Sequence, residues 1–384
     1  MNNFTLNLPT KLVFGKDQHK NIGEYIKPIA NKILIHYGSQ RIKQNGIFDD
    51  VTSSLKAHGI EWVELGGAQP NPRVTLVRKG IELCRAENVE LVLAIGGGSA
   101  IDSAKGIAAG MFYNGDVWDL YENQLEIDKC LPVATILTIP AAGSEMSLNS
   151  VVTNEETGYK WGYGSELLRP KVSIVNPEFF FTLPKNQIAN GVSDMMCHIF
   201  ERYFTNTNNV ELTSALCEAT LRTIIANAPK LMQNPSDYNA WAEVGFSGTI
   251  AHNGLLGCGR EEDWATHAIE HEVSAIYDIA HGAGLAILAP NWMRVVGESN
   301  PDRMQKFAKN VMGVDDIDEA INKLEAFYKS LGMATKLSEI DIDDSHFDEM
   351  VTKIQRNKSF ANGTIGHFMP LDVAKIKRIL ELSL

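Results

Sequence analysis

Long apolar runs are absent from this 384-residue chain, and no window approaches the roughly 20 apolar residues that a membrane-spanning helix needs. Cysteine is scarce. The five present, Cys84, Cys130, Cys197, Cys217 and Cys258, form no CxxC pair and are odd in number. That pattern argues for reduced thiols and against a disulfide scaffold. Positive charge is in deficit: 35 Lys+Arg against 47 Asp+Glu leave a net charge of −12. A nucleic acid or an anionic membrane requires a basic footprint, so neither is expected as a partner. Residues 1–9 have no basic start and no apolar core, so no signal peptide or anchor is expected and the expected location is cytoplasmic. Internal repeats, low-complexity segments and charge blocks are missing as well.

What is present is ordinary globular composition, 44% hydrophobic and 21% charged, in a chain too long for one ordinary core. Two domains are the expectation, 1–182 and 183–384. The first half alternates β-rich and helical runs. Residues 32–37, 61–65, 90–95 and 133–139 read as strands. Residues 41–58, 73–87 and 99–112 read as the helices between them. Such alternation predicts βαβ units around a parallel sheet. Two prolines, Pro177 and Pro184, bracket a boundary. Beyond it the period becomes 3.6, with helices expected over 186–204, 210–227, 238–255 and 317–331. The expected fold class is therefore an N-terminal α/β domain with a parallel sheet, followed by an all-α C-terminal domain.

The apolar run Leu91–Ile95 leads into Gly96-Gly97-Gly98-Ser99 and then into a helix. Glycines let backbone approach a pyrophosphate without a Cβ clash, and a helix start offers free N–H groups. Ser99 is placed to cap that helix and to donate to a phosphate oxygen. The spacing is not GxGxxG. The turn after the first of these strands reads Tyr37-Gly38-Ser39-Gln40-Arg41-Ile42-Lys43. An acidic residue there would hold the adenosine ribose and repel a 2′-phosphate. None is present and two cations are near, which favours tolerance of NADP. Thr138 and Ser144 flank a second small-residue turn and can hydrogen-bond a nucleotide.

Between Gly191 and His281 lie Asp194, His198, His267, His271 and His281. Asp194 and His198 are at i and i+4, as are His267 and His271, so each pair shares a helix face. A mixed carboxylate and imidazole set suits Zn²⁺ or Fe²⁺ and disfavours Mg²⁺ or Ca²⁺. Cys197 has apolar flanks and reads as core, and His36 as a core histidine with satisfied hydrogen bonds. A nucleotide cradle and a metal set in one chain predict a metal-dependent dehydrogenase.

The motifs Gly96 to Lys105, Gly143-Ser144-Glu145, Asn190 to Asp194, Glu270-His271-Glu272 and His281 to Met293 resemble the metal-dependent group III alcohol dehydrogenases, often called iron-containing, and their butanol dehydrogenase branch. The resemblance runs along nearly the whole chain. It implies a dinucleotide-binding domain, a helical metal domain and a cleft between them. It further implies that Asp194, His198, His267 and His281 hold one divalent metal, Fe²⁺ or Zn²⁺, and that His271 relays a proton. Gly97, Gly98 and Ser99 match the pyrophosphate loop, Gly38 and Ser39 the adenosine turn, and Asp102, Thr138, Ser147 and Lys160 further contacts to NAD(P). Ala142 departs from the family pattern, which has Thr there. A homodimer acting on a small aldehyde or alcohol is implied. The alternatives are a dehydroquinate-synthase-like lyase, or a nucleotide sensor without catalysis.

Overall fold

The computed structural model describes residues 1–357 and 359–384 and resolves into two compact units. One is Asn7–Thr182; the other is Leu183–Leu384 joined by Met1–Leu6. The first six residues leave the expected 1–182 grouping because the N-terminal ammonium donates to Asn208 O at 2.6 Å and Asn2 N–H to Gly259 O at 2.8 Å.

The first unit contains β1 (Lys11–Phe14), β2 (Lys32–Tyr37), β3 (Glu61–Gly66), β4 (Leu91–Gly97), β5 (Val133–Ile139), β6 (Asn149–Asn154), β7 (Tyr159–Gly164) and β8 (Val172–Val175). Six of these form one parallel sheet in the order β1-β8-β5-β4-β2-β3, while β6 and β7 pair antiparallel as a separate hairpin. Its main helices are α1 (Ile47–Ala57), α2 (Val74–Glu87) and α3 (Gly98–Gly110). Leu91 to Ile95 are fully enclosed, as a central parallel strand covered on both faces must be. β2 leads outward to β3, and the chain then returns to β4 on the other side of β2. This is a topological switch point, where the carboxyl ends of two adjacent strands open a crevice. Tyr37 pairs with Ile95 across it, so Gly38-Ser39 and Gly97 to Ser99 leave the sheet side by side.

The helix expected over 41–58 is two pieces, Arg41–Gln44 and α1, separated by Gly46 in a left-handed conformation (φ +82°). The hairpin and the strands β1 and β8 were not expected from the sequence; the four-residue runs of β1 and β8 carry too little period to register.

The second unit is helical: α4 (Lys185–Tyr203), α5 (Glu211–Gln233), α6 (Tyr238–His252), α7 (Ala265–Tyr277), α8 (His281–Val296) and α9 (Ile317–Ser330) are its longest members. Every residue of α4 from Gly191 to Tyr203 is buried, so this helix is enclosed on all sides by its neighbours. Among the described residues no helix is long and apolar enough to cross a membrane.

Candidate functional site

Helix α4 carries Asp194, His198 and Glu201 at i, i+4 and i+7, one above another on a single face. Helix α7 presents His267, Glu270, His271 and Ser274 in the same way. His281 is the first residue of α8. The glycines after it are what let that helix start come close. A Cβ on Gly282 would stand 2.0 Å from Asn190 O of α4, and one on Gly284 would stand 2.8 Å from the Glu270 side chain of α7.

One ligand atom each from Asp194, His267 and His281 lie within 4.8 Å of one another. Asp194 Oδ1 is 4.0 Å from His267 Nε2 and 3.9 Å from His281 Nε2. His198 adjoins this group, its Nδ1 3.1 Å from the same carboxylate oxygen and its ring 4.6 Å from that of His267. Asp194 Oδ1, His198 Nδ1 and His267 Nε2 are buried with no aligned hydrogen-bond partner among the described residues. Buried polar atoms are rarely left so, and a carboxylate and imidazoles left facing one another are a donor set for a divalent cation. Burial alone would raise the Asp194 carboxyl. When the imidazoles of His198, His281 and His267 are protonated, they outweigh it and hold the group well below the usual carboxylate range. Burial also lowers His198, against the pull of Asp194.

Two carboxylates behind the imidazoles set their tautomers. His267 Nδ1–H donates to Glu201 Oε1 at 2.8 Å, and the His267 backbone N–H donates to the same oxygen at 3.0 Å. His281 Nδ1 is bonded to Glu270, which also accepts from Ser274. With Nδ1 engaged, each ring turns its Nε2 lone pair toward Asp194. Glu201 Oε2 accepts from Trp264 N–H at 2.7 Å, holding that residue left-handed at φ +68°. Such a backbone costs about 1–3 kcal/mol and persists only where surroundings enforce it. Sequence reasoning assigned no role to Glu201, Glu270 or His252; the last packs edge-on to His198 with centroids 4.3 Å apart. The signal for the two glutamates was their helical spacing to the histidines. His271 stands outside the group of three, half-buried, its ring 5.5 Å from that of His281. It shares a second, overlapping ligand cluster with Glu270 and His281.

In the α/β unit, α3 begins at Gly98 with Gly97 as its N-cap, and no side chain caps it. Ser99 is therefore the second helical residue and not the cap the sequence suggested. The reason is that β4 runs on through Gly97, leaving no room for a non-helical serine. A Cβ on Gly96 would lie 2.5 Å from Ala100 Cβ, one on Gly97 2.9 Å from Ile139 Cβ, and one on Gly98 3.1 Å from Ala142 Cβ. Uncapped N–H groups at a helix start, approached this closely by a second chain segment, form an anion cradle. Thr138 is the last residue but one of β5 and is half-buried. Asp102 turns its carboxylate to Ser144 Oγ (2.5 Å) and Val151 N (3.0 Å), and Ser147 Oγ accepts from Lys105 (3.2 Å). Lys160 is buried on β7 opposite Thr153. Of the two cations after Gly38-Ser39, Lys43 is paired with Glu64 at 2.6 Å, and Arg41 donates to Thr182 O at 3.2 Å.

The model of the iron-containing alcohol dehydrogenases matches residues 9–177, and the C-terminal model of that family matches residues 188–384. The chain belongs to this family. It is 44% identical, over the full length of both chains, to a probable NADH-dependent butanol dehydrogenase of Bacillus subtilis. It is 34% identical, again over both full lengths, to an NADPH-dependent aldehyde reductase of Escherichia coli. The crystal structure of NADH-dependent butanol dehydrogenase A from Thermotoga maritima superposes with a TM-score of 0.97 at 42% identity, covering 100% of this chain and 99% of that one. The resemblance read from the motifs, the fold class of parallel sheet plus helical unit, and the standing of the chain as an alcohol dehydrogenase-type oxidoreductase all agree with these matches. A nicotinamide cofactor and a metal belong to that membership.

Proposed function

We propose that this protein interconverts primary aliphatic alcohols such as butanol and their aldehydes, using NAD(P)H and one divalent metal. The observation that carries the reading is the facing set of buried Asp194 Oδ1, buried His267 Nε2 and half-buried His281 Nε2, with a glutamate behind each of the two imidazoles. Asp194, His198, His267 and His281 would hold Fe²⁺ or Zn²⁺, both of which accept such N/O ligands. When bound, the metal supplies a Lewis acid that polarises a carbonyl. Gly97, Gly98 and Ser99 bind the cofactor pyrophosphate through backbone N–H groups, supported by Thr138, Ser147 and Lys160. Asp102 acts from behind, through its bond to Ser144. His271, half-buried and next to the ligand cluster, delivers the proton that an alkoxide needs.

NADPH is accepted alongside NADH. Gly38 leaves no carboxylate to repel a 2′-phosphate, and Ser39 and Arg41 are the contacts left for it, since Glu64 neutralises Lys43. The protein works in the cytoplasm as a homodimer. The test is oxidation of NADPH and NADH with butanal, on protein stripped by a chelator and then reloaded with Zn²⁺ or Fe²⁺. Turnover restored by metal is the expected result. Cofactor binding without turnover under either metal would overturn it in favour of a lyase or a sensor.

A further inference from the structure

Lys105 is the one charged residue of α3 with no solvent exposure at all. Its ammonium lies within hydrogen-bond distance of five oxygens, all from one segment: Ser144 O (2.7 Å), Ser144 Oγ (3.0 Å), Ser147 O (2.9 Å), Ser147 Oγ (3.2 Å) and Asn149 O (2.8 Å). None is a carboxylate, so the contact is not an ion pair. One turn earlier Asp102 completes the attachment. Its carboxylate accepts from Ser144 Oγ and Val151 N, and its carbonyl accepts from Ser150 Oγ at 2.8 Å. Residues 140–148 belong to no strand or helix, so their carbonyls have no ladder to enter. Buried carbonyls must find donors, and Lys105 supplies them from a single point. The end of β5 and the start of this segment make the second wall of the cradle, with Ile139 against Gly97 and Ala142 against Gly98.

We infer that Lys105 is a positioning residue for nicotinamide nucleotide binding: its ammonium fixes segment 144–149 to α3 so that both walls of the cradle keep their separation. The inference rests on reading the cradle as the nucleotide site. A buried ammonium suits this task because it offers three donors without a side-chain acceptor of its own. Nothing in the helical unit depends on it, so metal binding is independent of the substitution.

The experiment is NADH titration, followed by fluorescence, on the metal-loaded full chain. Lys105→Met leaves buried acceptors unsatisfied, and NADH affinity falls by about tenfold or more while bound metal stays at the wild-type level. In turnover, KM for NADH rises more than kcat falls. Lys105 has a second signature. Burial lowers it to about 8, against the carboxylates of Asp102 on its own helix and Glu145 on the segment and with the Arg169 guanidinium that follows it. Wild-type NADH affinity therefore drops as pH rises through that region, and the drop is absent from Lys105→Met. Unchanged NADH affinity in folded Lys105→Met, or the same pH profile as wild type, overturns the inference. If Lys105→Met does not fold, Ser144→Ala decides. It removes one acceptor of Lys105 and the bond to Asp102, and an NADH affinity equal to wild type refutes the tether. Gly98→Val separates the two readings. If it binds NADH normally, the cradle assignment itself fails. If it loses NADH while Lys105→Met keeps it, only the role of Lys105 fails.

Discussion

The imidazole of His36 is sealed in the α/β unit, Nδ1 2.8 Å from Leu65 O and Nε2 2.9 Å from Ser103 Oγ. Burial lowers its pKa to about 4 against the pull of the Leu65 carbonyl, so it is neutral, donating through Nδ1 and accepting through Nε2. Its folded pKa lies below its unfolded one. On acidification the unfolded chain therefore binds the proton first, and stability is lost as pH falls from about 6.5 to about 4. The whole window is worth roughly 3 kcal/mol. Urea unfolding at pH 7 and pH 5 should show this loss in wild type and a flatter dependence in His36→Leu, on top of a lower stability at both. Glu201 offers a second test at this scale. Glu201→Gln weakens the hold on His267 Nδ1–H and should reduce metal affinity by roughly 10–100-fold in chelator competition. That these histidines would converge with Asp194 was legible, because histidine is a rare residue type and stands here at a telling spacing. Glu201 and Glu270 were not, because a glutamate on a helix is ordinary until its partner across the packing is known.

Among elements, α8 shows how backbone shape carries a functional atom. Its start brings His281 toward Asp194 only because residue 282 has no side chain where Asn190 O passes. Gly282→Ala should push α8 away from α4, costing about 1–3 kcal/mol in stability by overpacking. Metal affinity should fall with it, which chelator competition beside a denaturant titration would register. A stability loss with unchanged metal affinity would mean that His281 is not drawn in by this contact. The long helices α4, α6 and α9 were readable to within a few residues, since runs of several turns give the helical pattern enough length to stand out. The division of 41–58 at Gly46, the strands β1 and β8 and the hairpin β6–β7 were not. Their definition comes from partners distant in sequence: β8 exists as a strand because β1 and β5 flank it.

On the proposed assignment, across the whole molecule, the two units hold different ligands, and this has a thermal consequence. A ligand that binds only the folded form stabilises it by RT ln(1 + [L]/Kd), about 2.7 kcal/mol at a hundredfold excess over Kd. Stripping the metal should therefore lower the unfolding of the helical unit, followed by near-ultraviolet signals from Trp264, which lies 5.2 Å from the His267 ring. NADPH should raise the unfolding of the α/β unit, where Trp118 and Trp161 stack at 5.5 Å. A metal effect confined to the α/β unit would contradict the ligand assignment.

Composition, the change of period near Pro184 and the glycine and histidine motifs were enough to give the fold class and the alcohol dehydrogenase-type chemistry of the chain. These are local properties, written in residue type and spacing along one segment. The order of the strands, and with it the switch point that sets the carboxyl ends of β2 and β4 side by side, was decided only by the tertiary structure. So were the carboxylates that set the imidazole tautomers, the helix start at Gly98 and the enclosure of Lys105 by five oxygens. Each depends on groups tens of residues apart meeting at hydrogen-bond distance, and only the packed chain specifies such meetings.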